Sequence, residues 1–160
     1  MEELFISELK SNLHVKAIFE SYPIEDIVTK NILCRNVLIP YYKFEYNLIK
    51  EFPEIDKTTL EIDYNKAIRI ARLASNWKKS LKLIRLYPNV RLKVGLCLLD
   101  EHKAFKNIIL PFDHVFYDTH LPPNAIGCLC SFEFVDDDIN TLPENLPIIE
   151  DMFKFHVAKY

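Results

Sequence analysis

Apolar residues near the start of the chain recur at helical spacing: Leu4, Phe5, Leu9, Leu13, Ala17 and Ile18 line one side of residues 2–20, and Ser21-Tyr22-Pro23 breaks the run. This pattern predicts an amphipathic opening helix. Ile27, Val28, Ile32 and Leu33 form a second helical face within residues 24–38, and Tyr42, Phe44, Tyr46, Leu48, Ile49 and Phe52 mark a third apolar run that Pro53 closes. Next come Thr58-Thr59-Leu60-Glu61, which have capping-box spacing, and then Ile62, Ile70, Leu73, Ala74, Trp77, Leu81 and Ile84 at helical intervals as far as Leu86. They predict one long helix, bent near Ser75-Asn76 and stopped by Tyr87-Pro88-Asn89.

Beyond that stop the period changes. Val90-Arg91-Leu92-Lys93-Val94 alternates apolar and basic residues, as a half-buried strand does, and runs into Gly95-Leu96-Cys97-Leu98-Leu99 with a turn or bulge at the glycine. Asp100 stands where it would cap a short helix over residues 101–106. The chain from Pro111 to Asn124 is aromatic and loop-like, and residues 127–135 read as a second strand. The tail is acidic and proline-punctuated, with a last helical turn within 148–157. The expected class is α+β: a helical N-terminal half with one long helix, then a small antiparallel sheet with long loops. Residues 1–57 form a helical region, 58–135 the central domain and 136–160 a tail packed on that domain.

Composition narrows the functional classes. A chain of 160 residues, 49% hydrophobic, supports one core, and 20 basic against 23 acidic residues leave a net charge of -3 that excludes polyanion binding by the molecule as a whole. With only 2 glycines there is no phosphate-cradling glycine loop. The N-terminus has no signal-peptide pattern, and no run approaches the roughly 18 apolar residues of a membrane span; a soluble protein without a membrane partner is expected. Basic residues do gather on the long helix, at Lys66, Arg69, Arg72, Lys78, Lys79, Lys82 and Arg85. They are either a solvated face or, through Lys66, Arg69, Lys79 and Lys82, a docking surface for an acidic protein or packaged DNA.

The candidate chemistry lies between Leu110 and Cys130. Four cysteines, Cys34, Cys97, Cys128 and Cys130, are few for a disulfide scaffold, so reduced thiols are expected. Two residues apart on a strand, Cys128 and Cys130 face the same side. With His102 they offer three zinc donors, and His114 completes a tetrahedral set, with His120 and Asp113 as alternatives. The competing account makes the cysteines small buried hydrophobes and has His102 order the loop by hydrogen bonding. No catalytic residue is assigned: apolar neighbours raise thiol pKa values, and Glu61 and Asp63 serve a helix start. Phe112, Phe116, Tyr117, Phe132 and Phe134 read as core aromatics or, with His120, as a partner pocket.

In order along the chain stand Asp100-Glu101-His102, Asn107-Ile108-Ile109-Leu110-Pro111, Asp113-His114-Val115-Phe116-Tyr117-Asp118-Thr119-His120, Pro122-Pro123-Asn124 and Gly127-Cys128-Leu129-Cys130. This succession resembles the phage Mu F-like minor head proteins, whose pattern is a histidine after a strand, a Leu-Pro segment, an aromatic-Asp-Thr-His run and a Pro-Pro-Asn turn leading into Cys-x-Cys. Tyr64-Asn65, Ala71, Ala74, Trp77 and Tyr87-Pro88-Asn89-Val90-Arg91 match its upstream helix and strand approach, so the resemblance covers residues 60–134. Departures are Ala125-Ile126 for a Gly-Trp pair, Leu129 for an arginine, and Leu96, Leu98 and Leu99 at polar positions. The resemblance implies a non-enzymatic minor capsid protein acting in head morphogenesis. Its partners would be portal or capsid proteins, in the cytoplasm of a bacterial host and in association with the virion. Within that reading Phe116, Tyr117 and His120 are interaction residues. The alternative is a repurposed module of the same ancestry tied to a bacterial toxin or toxin-neutralising system, with nuclease or transferase activity as a third reading.

Overall fold

The computed structural model describes residues 2–19, 41–51 and 53–159; the helix expected over 24–38, and Cys34, lie outside them. The chain forms two compact units, Met1–Ser75 and Asn76–Lys159, and the division falls inside the longest helix rather than before it.

In the first unit, α1 (Glu2–Ser11) and α2 (Leu13–Phe19) replace the single expected opening helix. Asn12 causes the interruption. Its Oδ1 accepts the backbone N–H groups of His14 at 3.0 Å and Val15 at 3.4 Å, two donors that a new helix start leaves open, while its Nδ2 donates to Glu8 Oε2 at 3.0 Å. An asparagine competes with the helical backbone for hydrogen bonds in this way, and the apolar periodicity passes through unchanged. The expected third run is α3 (Tyr41–Glu51), whose Phe44 and Leu48 are buried and whose Phe44 ring meets Tyr64 of the following helix at 4.9 Å.

Helix α4 runs from Lys57 to Ser80. Asp56 caps it, not the threonine expected: its carboxylate accepts the N–H groups of Thr58 and Thr59, both at 3.2 Å, and the Thr59 hydroxyl at 2.5 Å. That hydroxyl, followed by the two amides, holds the Asp56 carboxyl below its ordinary acidity range. The helix ends in a 3-10 turn, Leu81–Leu83, short of the expected Leu86.

The second unit is built on three antiparallel strands in the order β2-β1-β3: β1 (Asn89–Lys93), β2 (Ile109–Pro111) and β3 (Ser131–Val135). Val90 pairs with Leu110 on one side and Phe134 on the other; Leu92 pairs with Phe132. Strand β1 ends at Lys93, and Gly95, at φ 54°, makes the turn expected there. The helix expected over 101–106 is a 3-10 helix, Asp100–Phe105, in which Asp100 pairs with Lys103 Nζ at 2.7 Å instead of capping. Strand β2, too short to show a period, contains the Leu110-Pro111 pair. A one-turn helix, α5 (Tyr117–His120), stands where a loop was expected.

Trp77 organises the apolar side of this unit. Only 4% exposed, it meets Phe134 at 5.0 Å, Phe132 at 5.2 Å and Tyr117 at 6.1 Å. The His156 ring stands edge-on to it at 4.6 Å, and Ile149, Phe153 and Val157 of the tail are also buried. On the opposite face of the sheet Arg91 bridges Glu133 at 2.9 Å and Asp137 at 2.7 Å, and Lys93 bridges Glu133 at 3.0 Å. The molecule is thus α+β, and no described helix is long and apolar enough to cross a membrane.

Candidate metal centre

Both glycines of the chain sit in turns that deliver a cysteine. After β1, Val94–Gly95–Leu96–Cys97 closes with the Cys97 N–H on Val94 O at 3.0 Å; before β3, Ala125–Ile126–Gly127–Cys128 closes with the Cys128 N–H on Ala125 O at 3.1 Å. Gly95 and Gly127 take φ values of 54° and 73°, a region that a side chain penalises. The 3-10 helix supplies His102, whose N–H bonds Leu99 O at 3.0 Å.

These pieces bring Cys97, His102, Cys128 and Cys130 together, with one ligand atom from each all lying within 4.8 Å of one another. His102 Nδ1 is 3.5 Å from Cys97 Sγ and 3.4 Å from Cys130 Sγ. In a tetrahedral zinc site with Zn–S near 2.3 Å and Zn–N near 2.0–2.1 Å, the S···N edge is about 3.5 Å and the S···S edge about 3.8 Å. The two S···N distances match that edge, and three sulfurs with one imidazole nitrogen, all within 4.8 Å of one another, can hold one metal ion. Exposures of 8% for Cys97, 3% for His102, 2% for Cys128 and 1% for Cys130 put all four donors inside the protein.

The electrostatics favour thiolate at one position first. Cys128 is lowered, chiefly because Cys130 donates to its sulfur; burial opposes this, and the backbone N–H groups of Asn124 and Cys130 and the field of His102 add to it. Cys130 is raised, because its proton is held on Cys128 and burial disfavours its charge.

Of the expected donors, His102, Cys128 and Cys130 converge and His114 does not. His114 Nδ1 instead accepts the N–H of Phe116 at 3.1 Å, and Cys97 takes the fourth place. Neither alternative donor, Asp113 or His120, belongs to the cluster. Cys128 and Cys130 share a side as expected, although they precede β3 rather than belonging to it. Cys97 was missed as a donor; the signal that marks it is a glycine one or two residues before a cysteine in each turn, Gly95-Leu96-Cys97 and Gly127-Cys128, together with Cys97-x4-His102. The leucines between and beside the ligands point outward: Leu96 is 83% exposed, Leu98 92% and Leu129 48%.

Two expected interaction residues are corrected by their burial. Phe116 and Tyr117 are core, and the Tyr117 hydroxyl donates to Val90 O at 2.6 Å, with burial holding its phenol above the ordinary range. His120 is half-buried, stacked on Phe116 at 4.5 Å, and burial is the main cause that lowers its pKa. Along α4 and the turn after it, Lys66, Arg69 and Lys79 are partly buried and hold interactions of their own, while Lys82 is exposed. Compared with protein-family models, curated proteins and solved structures, the chain matches none.

Proposed function

We propose that this chain is a zinc-stapled binding module of the Mu F-like minor head type, acting in phage head assembly through contacts with portal or capsid proteins. The observation that carries the reading is the convergence of His102, Cys128 and Cys130, three positions of the motif on which the resemblance rests, into one buried cluster with Cys97. Zinc is the ion that suits three thiolates and an imidazole in tetrahedral array. Four protein donors fill its coordination, so the role is structural: the ion ties the turn after β1, the 3-10 helix and the approach to β3 to one another. In a unit this small such a tie replaces core that the chain lacks. The work of the protein is then binding rather than catalysis, in the cytoplasm of a bacterial host and in the assembling particle.

Two measurements test this. Elemental analysis of protein purified without chelator is expected to give one zinc per chain; a content far below one equivalent removes the staple. Co-purification with the portal and major capsid proteins of the same genetic element is expected to be stoichiometric, and failure to bind either one removes the assembly role.

A further inference from the structure

The two outer edges of the sheet are treated differently. At β2 the tail closes the edge: Asn140 accepts the Ile109 N–H on its Oδ1 at 2.9 Å, donates its own N–H to Ile109 O at 2.9 Å, and reaches Asn107 O through Nδ2 at 2.7 Å. One residue thereby imitates a neighbouring strand. At β3 nothing comparable occurs among the described residues. Leu92 bonds toward the β2 side, with its N–H on Ile108 O at 2.9 Å and its carbonyl accepting Asn107 N–H at 3.1 Å. In an antiparallel ladder the odd residues of β1 therefore face β3, and by the register their partners Ser131, Glu133 and Val135 face inward. The N–H and C=O groups of Phe132 and Phe134 point away from the sheet, and among the described residues they meet no protein partner.

We infer that β3 is a docking edge that accepts an extended segment of another protein as a fourth strand. The chemistry of that segment can be read from the strand β3 already pairs with. On one face β1 sets Val90 and Leu92 beside Phe134 and Phe132; on the other, Arg91 and Lys93 both bridge Glu133. Phe132 and Phe134 remain only partly buried although both pack on Trp77, so a second apolar strand beside them has surface to cover. The occupant is thus an alternating apolar and basic strand, bound through main-chain hydrogen bonds with side-chain specificity from the two faces. A second copy of the chain fits less well. Its β2 edge is closed by Asn140, and pairing β3 with β3 over its full length about a two-fold axis sets Glu133 opposite Glu133, a like-charge pair that opposes association.

The test uses the whole chain and a synthetic probe, the acetylated and amidated peptide Tyr-Pro-Asn-Val-Arg-Leu-Lys-Val, which copies residues 87–94. Titration followed by amide NMR is expected to give saturable shifts centred on Phe132 and Phe134, with slowed exchange of those two amides. Replacing the peptide's arginine and lysine by glutamate is expected to weaken binding at least tenfold, and N-methylating the amides that face β3 to abolish it. Because these controls alter only the peptide, the fold of the protein is untouched. Absence of shifts at millimolar peptide, shifts centred on β1 and β2, or equal binding of the N-methylated peptide overturns the proposal. So does a concentration-dependent dimer that protects the Phe132 and Phe134 amides without peptide, since the occupant is then a second copy.

Discussion

His102 Nδ1 stands 3.4 Å from the sulfur of Cys130, a residue 28 positions further along the chain, and both side chains are buried. A polar ring so enclosed, facing two cysteine sulfurs, is costly unless the groups share a proton or a cation. The cluster's contribution to stability therefore depends on what fills it.

Cys97→Ser is expected to remove metal binding and to destabilise the protein by more than about 3 kcal/mol, because loss of a structural metal is among the few single changes with so large an effect. His114→Ala is expected to keep one equivalent of zinc. Elemental analysis and urea denaturation of both variants check this; zinc retained by Cys97→Ser, or lost by His114→Ala, would mean the donor set is wrong.

Gly95→Ala and Gly127→Ala are each expected to cost about 1–2 kcal/mol, since an alanine at positive φ is strained. A Cβ at either position meets nothing within 4 Å, so the loss comes from backbone strain alone and not from a clash. Thermal denaturation measures the loss, and a chelator competition should show weaker zinc binding in both variants. Unchanged stability in both would contradict the turn geometry.

Tyr117→Phe removes the hydroxyl that bonds Val90 O and is expected to cost about 1–2 kcal/mol. It also changes the response to alkali. Burial raises the folded-state pKa above the ordinary 10.0, so the unfolded chain releases a proton that the folded chain keeps, and this contribution falls as pH rises past 10.0. The variant should lose that part of the decline. Denaturation curves between pH 8 and about pH 11 compare the two slopes; parallel curves would refute the assignment.

Asn12→Ala is expected to cost about 1–2 kcal/mol by uncapping α2 and leaving Glu8 without its partner amide. Asn12→Ser, which keeps a capping oxygen, should recover part of the loss. Equal losses in the two variants would show that capping is not the cause.

Much of the architecture was legible without coordinates. The apolar spacing from Leu60 to Trp77 marks α4 because a helix face repeats locally, and the alternation in Val90-Arg91-Leu92-Lys93 marks β1 because a strand half in water must alternate. Where a hydrogen bond outcompetes the period, the pattern misleads. Asn12 splits a helix whose apolar face continues unbroken, and Asp56 starts α4 ahead of the threonines that carry the familiar spacing. Strand β2 has only three residues, and its partners are supplied by β1 and Asn140 rather than announced by its own sequence.

Residue types and their order along the chain pointed to cysteine and histidine chemistry at His102, Cys128 and Cys130, three of the several such donors in the second half of the chain. Tertiary structure decided that Cys97 and not His114 completes the set. Ligand geometry is a matter of angstroms, and the distance between residues 97 and 128 depends on a turn at each glycine and on the pairing of β1 with β3, none of which a one-dimensional spacing contains. The same holds for the sheet edges. Which strand ends up outermost, and which of its backbone groups the tail leaves open, follows from long-range pairing alone.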